Sequence, residues 1–212
     1  MSGEFALVIE PGMNFSNNKV TKPNLKNLRK ISKFSKDNGI FFEAHSTDYQ
    51  KIEVLKKLVK SNFKFLKVGP ELTYKFNESI KFMLKIENVY TPTQNKSNLK
   101  RTLDKTMKKN PKYWKTYYKG SADKVSFLKF NSLLDRIRYY WNFTTVNKSK
   151  EKLFYNINKI SDKKILKHLR INKKIFKLYK KYRIKNSDLI IINFLDHTIF
   201  KYYKACGFKL HN

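Results

Sequence analysis

The opening stretch of the chain alternates between two hydrophobic periods, and that alternation limits the fold more than any other feature. Three strand-length apolar runs, 5–10, 40–45 and 63–68, are separated by stretches with helical spacing. The first two runs are almost continuously apolar, as in parallel strands covered on both faces. After Pro23, the residues Leu25, Leu28, Ile31 and Phe34 recur every three positions, and Gly39 supplies a C-terminal stop. Asp48 is placed to N-cap a second helix with Ile52, Leu55, Leu58 and Val59 as its buried stripe. Beyond Gly69-Pro70 a third helix is expected to run to about Tyr90, with Phe76, Ile80, Met83, Leu84 and Ile86 inward. Such β-α units in series predict an α/β fold with a right-handed parallel arrangement, either part of a (β/α)-barrel or a doubly wound sheet. No glycine-rich phosphate fingerprint follows any of the runs, which weakens a dinucleotide-binding version.

The periodicity changes near Pro92. Residues 1–90 read as three βα units and residues 91–212 as a helical extension. Ser97 is a candidate cap for a helix to about Lys109. Pro111 opens an aromatic segment, Tyr113-Trp114-Lys-Thr-Tyr117-Tyr118, and Asn131 or Ser132 is expected to open a helix through Leu134 to Trp141. Three lysine-laden amphipathic stretches follow, at 147–159, 162–171 and 172–183. Ser187 is then expected to cap a last helix through Tyr203, ended by Gly207.

With 47 Lys+Arg against 16 Asp+Glu, the formal net charge is +31. That balance suits a nucleic-acid or anionic-surface binder, because basic side chains neutralise phosphates. The lysines, however, are spread along the whole chain and greatly outnumber the arginines, whereas phosphate-recognition surfaces favour arginine forks. A general drift of composition toward Lys, Asn, Ile, Phe and Tyr is the preferred reading, and specific nucleic-acid binding is not expected. The single cysteine, Cys206, excludes an intrachain disulfide, as befits a reducing compartment. No apolar run approaches bilayer-spanning length, and Met1-Ser2-Gly3-Glu4 does not open a signal-peptide pattern. A soluble cytoplasmic protein is the expectation.

Two polar clusters resist a purely compositional account. Glu43-Ala-His-Ser-Thr-Asp-Tyr-Gln50 falls where a strand ends and a helix begins. In a barrel, that is the rim on which ligands bind. The plainer alternative is that Thr47 and Asp48 cap the helix and His45 makes a satisfied hydrogen bond. Leu66-Lys67-Val68-Gly69-Pro70 is a second strand end, with a lysine amid apolar residues. Lys67 could meet a phosphate or form a Schiff base; the plainer alternative pairs it with Glu10, Glu43 or Glu71. The four histidines, His45, His168, His197 and His211, are far apart, and no cluster has zinc-ligand spacing.

Five segments in order resemble the accessory, Z-type subunit family of D-tagatose-1,6-bisphosphate aldolase. They are Val8-Ile-Glu-Pro-Gly12, Phe42-Glu-Ala-His-Ser-Thr-Asp-Tyr-Gln50, Leu66-Lys-Val-Gly-Pro-Glu-Leu-Thr73, Pro111-Lys-Tyr-Trp-Lys-Thr-Tyr-Tyr118 and Leu134-Asp-Arg-Ile-Arg-Tyr-Tyr-Trp141. The resemblance implies a partial (β/α)8 TIM barrel, its last three βα units, followed by an α-helical C-terminal extension. The family's first five strands and an early aspartate-histidine motif have no counterpart here, so a truncated chain is expected. The barrel-inward side chains of Val8, Phe42 and Leu66 would then lack an opposing layer. The resemblance also implies a non-catalytic role, supporting a separate class II aldolase subunit in galactitol or N-acetylgalactosamine catabolism. Zinc is expected in that catalytic partner and no cofactor in this chain. A separately encoded N-terminal half-barrel, or self-association, would complete the sheet. Glu43, His45, Ser46, Asp48 and Lys67 are the ligand-binding candidates, with no catalytic or metal residue named. Arg136 and Arg138 are expected to brace the tail or to meet carboxylates of a partner. The competing readings are a sugar-phosphate lyase in its own right using Glu43, His45 and Lys67, a basic nucleic-acid binder stacking Tyr113, Trp114 and Tyr139 on bases, and a gene remnant without function.

Diffuse positive charge predicts only weak, sequence-independent nucleic-acid binding. In a filter-binding assay it should disappear between roughly 50 and 200 mM salt; retention at the higher salt would restore the nucleic-acid reading.

Overall fold

A computed structural model describes residues 6–169 and 171–208. Phe5, which opens the first apolar run, and His211 lie outside the described residues. The first elements are strand β1 (Ala6–Ile9), the short pair β2 (Asn14–Phe15) and β3 (Val20–Thr21), helix α1 (Leu25–Asn38), strand β4 (Phe41–Ala44), helix α2 (Ile52–Lys60), strand β5 (Phe63–Leu66) and helix α3 (Pro70–Tyr90). The helices after them are α4 (Leu99–Lys109), α5 (Ala122–Asn131), α6 (Thr144–Asn158), α7 (Asp162–His168), α8 (Lys173–Lys181) and α9 (Asn186–Ala205). No helix among the described residues is long and apolar enough to cross a membrane.

The chain forms two compact units. The first contains the chain as far as Leu72, the short segment Ser132–Leu134, and the chain from His197 onward. The second contains Thr73–Asn131 and Asp135–Asp196. Compactness therefore does not follow sequence order, because residues from both later parts of the chain return to the first unit.

In the first unit the sheet order is β1-β4-β5, with both pairings parallel. The expected parallel α/β arrangement is present. Register places Val8 opposite Glu43, and Glu43 opposite Phe65, in one row across the sheet. Lys64 is the extra residue of a bulge beside that row. Side chains alternate along a strand, so the neighbouring row carries Phe42 and Phe63. Phe42, Ala44 and Phe63 are buried with Leu28 of α1 and with Leu55 and Leu58 of α2. Phe42 and Leu66 were expected on an uncovered inward face; they instead belong to the helix-covered side. Val8 keeps the expected position, 57% exposed, and shares the uncovered face with Phe65, 56% exposed.

Helix α1 is present, but its row of apolar positions does not stay on one face. A spacing of three falls 60° short of a full turn at each step, so the row from Leu25 to Phe34 winds around the helix. Phe34 ends 54% exposed, while Ser35 is fully buried beside Leu28. The Ser35 hydroxyl donates to the Ile40 carbonyl at 2.5 Å and accepts from the Asn62 amide, so the α1–β4 turn is closed by polar contacts. Gly39 takes φ +65° as the left-handed stop.

The second unit is helical. Its core joins Ile80, Met83 and Ile86 of α3 to Leu99, Leu103 and Met107 of α4, Leu153 and Ile157 of α6, and Leu189 and Ile190 of α9. The segment from Leu134 to Trp141 is a short 3-10 turn, Arg136–Tyr140, and not an α-helix. Asp135 enters it with φ +45°, which breaks any continuous helix there. The Arg136 Nε donates to the Tyr113 carbonyl at 2.6 Å. Its guanidinium lies 3.8 Å from the Tyr117 ring centre and 4.6 Å from that of Tyr139. Arg136 is thus a brace between aromatic segments, held by ring faces as well as by a hydrogen bond to a backbone carbonyl.

Asp135 is 2% exposed, and among the described residues no donor meets either carboxylate oxygen with hydrogen-bond geometry. Burial pushes its pKa up to about 7; Thr73, Arg138, Lys81 and Asn77 offset this only in part. A carboxyl raised in the fold binds more protons folded than unfolded, so stability falls as pH rises from about 4 to about 7. The penalty above that window is about 4 kcal/mol. We predict that Asp135→Asn flattens this slope in urea titrations across that range and raises stability at pH 8. An unchanged slope would show that Asp135 titrates near its ordinary value.

Candidate functional site

The site candidates lie where β4 and β5 end. The loop after β4 turns through two left-handed residues, Ser46 at φ +57° and Tyr49 at φ +61°. Such backbone costs about 1 kcal/mol or more per residue unless its surroundings enforce it. Here they do. The Tyr49 amide donates to Glu71 Oε2 at 2.7 Å, and its hydroxyl donates to the Leu133 carbonyl at 2.7 Å. The Gln50 side chain donates to the Thr21 carbonyl at 2.8 Å, tying the loop to β3.

The five candidates separate into two groups. Glu43, His45 and Lys67 form a chain of contacts on the open rim. His45 Nε2 lies 2.9 Å from Glu43 Oε1 and 3.4 Å from Lys67 Nζ. The Glu43 and His45 side chains are about one-third accessible, and Lys67 is exposed. Lys67 was expected either as a buried amine or as an ion-pair partner of Glu10, Glu43 or Glu71; its side-chain contact is with His45. The cluster presents a carboxylate, an imidazole and an ammonium together, which is enough to hold an anion or exchange a proton. Ser46 is half-buried beside it in the strained loop.

Asp48 belongs to a different structure. It does not cap α2, whose first-turn flank is Lys51 without a side-chain cap. Its Oδ1 instead accepts from the Gly69 amide at 2.9 Å and from the Glu71 amide at 2.8 Å, at the start of α3. A carboxylate there meets unpaired amides and the positive end of the helix. Burial raises the Asp48 pKa; the amides of Glu71 and Gly69 oppose that, while the nearby Glu71 charge adds to it.

Glu71, 5% exposed, is the centre of this inner network. Besides Tyr49, it accepts from Lys201 Nζ at 2.5 Å, and the Tyr202 hydroxyl lies 3.4 Å from it. The Tyr202 hydroxyl donates to the Thr47 carbonyl at 2.9 Å, and Thr47 Oγ1 donates to the Lys67 carbonyl at 2.6 Å. Burial, with the charges of Glu71 and Asp48, raises the Tyr202 pKa, so its proton stays in place for these bonds. Glu71 and Thr47 stood inside the polar segments quoted above, but Lys201 and Tyr202 carried no local signal: their partners lie 130 and 155 positions away. Among the described residues no group of three or more His, Cys, Asp or Glu side chains could hold a metal ion.

Removing one partner of a buried ion pair leaves the other uncompensated. Glu71→Ala should therefore cost roughly 3 kcal/mol or more in urea unfolding, whereas Glu43→Ala on the open rim should cost under about 1 kcal/mol. Equal losses would refute the division into an inner brace and an open rim.

Comparison with known proteins agrees with this arrangement of strands and motifs. The family described as D-tagatose-1,6-bisphosphate aldolase subunit GatZ/KbaZ-like matches residues 3–207. The D-tagatose-1,6-bisphosphate aldolase subunit GatZ of Salmonella typhimurium is 33% identical over 161 residues, covering 76% of this chain and 38% of the relative. The GatZ subunit of Salmonella dublin is 33% identical over 156 residues, covering 74% and 37%. The aligned region thus spans less than two-fifths of the length of these relatives. A crystal structure described as a probable tagatose 6 phosphate kinase from Sinorhizobium meliloti superposes with a TM-score of 0.78 at 28% identity, over 94% of this chain and 52% of that one. The mixed α/β fold, the ordered motifs and the match along nearly the whole sequence agree: this chain belongs to the GatZ/KbaZ-like family of D-tagatose-1,6-bisphosphate aldolase subunits.

Proposed function

We propose that this chain is part of an accessory, non-catalytic subunit of D-tagatose-1,6-bisphosphate aldolase. It supports the activity and stability of a separate class II catalytic subunit in the cytoplasm. In this reading residues 1–90 are the last three βα units of a (β/α)8 barrel and residues 91–212 are its helical extension. The zinc chemistry of cleavage belongs to the catalytic subunit.

The observation that carries the reading is the bare face of the parallel sheet. Parallel sheets are almost always covered on both faces. Here one face packs on α1 and α2, while Val8 and Phe65 stand more than half exposed on the other. Among the described residues neither edge strand has an outer neighbour, since β1 and β5 end the sheet order. Such edges and faces promote association. Further barrel strands, supplied from outside these residues, would cover the face and pair both edges. The partial coverage of the GatZ relatives supports the same conclusion. Glu43, His45, Ser46 and Lys67 would then lie on the barrel rim, as residual ligand contacts. Asp48 would fix the rim loop.

Co-expression with the N-terminal part of a related GatZ subunit should give a stable complex. Adding that complex to the catalytic subunit should prolong aldolase activity during heating. Replacing Val8 and Phe65 together by lysine should abolish complex formation, while leaving the helix-covered core intact. A monodisperse, cooperatively melting monomer that neither binds the N-terminal part nor protects the aldolase would refute the proposal.

A further inference from the structure

A cavity of about 640 Å³ lies within the helical unit. Its size falls within the range of small-molecule sites. One wall is a single face of α6, with Lys152, Tyr155 and Asn156 at helical spacing and Lys159 just past its C-terminal end. Tyr90 from the end of α3 and Lys164 from α7 complete it.

The wall carries three ammonium groups and no carboxylate. None of Lys152, Lys159 and Lys164 forms an ion pair among the described residues. Two of them lie over aromatic rings: Lys159 Nζ is 4.2 Å from the Tyr155 ring centre, and Lys164 Nζ is 5.0 Å from that of Tyr90. The Tyr90 hydroxyl is fixed in turn by His168 Nε2 at 2.9 Å.

In a chain so rich in lysine, exposed ammonium groups alone mean little. Asn156 adds an independent observation. It is 8% exposed and held rigidly. Its Nδ2 donates to Glu87 Oε1 at 2.7 Å and to the Asn95 carbonyl at 3.0 Å. Glu87 is itself buried and engaged by the Ser97 amide and hydroxyl at 2.9 and 2.7 Å. Both amide hydrogens of Asn156 are therefore used within the protein. Asn156 lines the cavity, and its Oδ1 accepts from no protein donor among the described residues.

We propose that this cavity binds a small phosphate monoester bearing hydroxyl groups. The lysines would meet the dianion, Asn156 Oδ1 would accept from a hydroxyl, and the Tyr155 ring would cover the carbon chain. This site is independent of the barrel rim and of the subunit role proposed above.

The test is isothermal titration of the full chain, at about 150 mM salt, with three probes: glycerol 3-phosphate, inorganic phosphate and glycerol. Glycerol 3-phosphate should bind roughly tenfold more tightly than inorganic phosphate, and glycerol should show no binding. The double variant Lys159→Gln/Lys164→Gln should weaken glycerol 3-phosphate binding by about tenfold or more. Lys115→Gln/Lys119→Gln, which removes the same charge elsewhere, should leave it within about twofold. Tyr155→Ala, at a ring already 58% exposed and so tolerated by the fold, should reduce the preference for glycerol 3-phosphate over phosphate. Equal weakening by the two lysine pairs would overturn the proposal, as would equal affinity for the two phosphates or no binding at all.

Discussion

The first unit depends on two buried carboxylates, Asp48 and Glu71, which the fold places side by side. Asp48 takes the first amides of α3, and Glu71 takes Tyr49 and Lys201. Two like charges at low exposure would repel and favour protonation. Amides, an ammonium and a tyrosine hydroxyl surround them here. This network fixes the left-handed loop after β4, and that loop in turn holds Ser46 beside His45. The open rim of Glu43, His45 and Lys67 is therefore positioned by groups that do not themselves face solvent. Chemistry at such a rim can vary without disturbing the brace, provided the inner carboxylates are kept.

What could be read from the sequence followed from periodicity and from short motifs. The three βα units, the parallel arrangement, and the buried stripes of α2 and α3 were visible because apolar spacing reports the covered face directly. The row ending at Phe34 marks the helix but not its covered face, because a spacing of three drifts off a helix face over three turns. The sheet face of Phe42 was misassigned for a related reason. A run that is apolar on both sides carries no alternation, so it does not say which side meets the helices. The sequence marks Asp48 as a cap for the nearer helix, whereas its carboxylate reaches Gly69, 21 residues later, just ahead of α3. Lys201 and Tyr202 lay beyond any local rule. Nothing in the sequence marks helix α5 or the β2–β3 pair, since the first has no clear apolar stripe and the second is only two residues per strand.

The charge balance has a different character in different places. A few lysines are consumed by structure: Lys201 pairs with Glu71, Lys129 with Asp104, and Lys180 with Asp162. Arg136 is fixed between two tyrosine rings. With three times as many basic as acidic residues, most cations have no carboxylate to meet. Net charge then says little about function, and the informative cations are those held beside a buried, committed polar group. The cavity lined by Asn156, Lys152 and Lys159 is such a place.

The return of the late segment to the first unit has a kinetic meaning. Tyr202 meets Thr47 across 155 positions, so the ribosome finishes β1, β4 and β5 long before their clasp is made. During that interval the nascent strands have only α1 and α2 for cover, and closing so long a loop is slow. A chaperone that shields exposed strands until the last helix emerges would have its greatest effect on this part of the protein. Loss of a few residues around Lys201 would harm the distant sheet more than it harms the helices next to them.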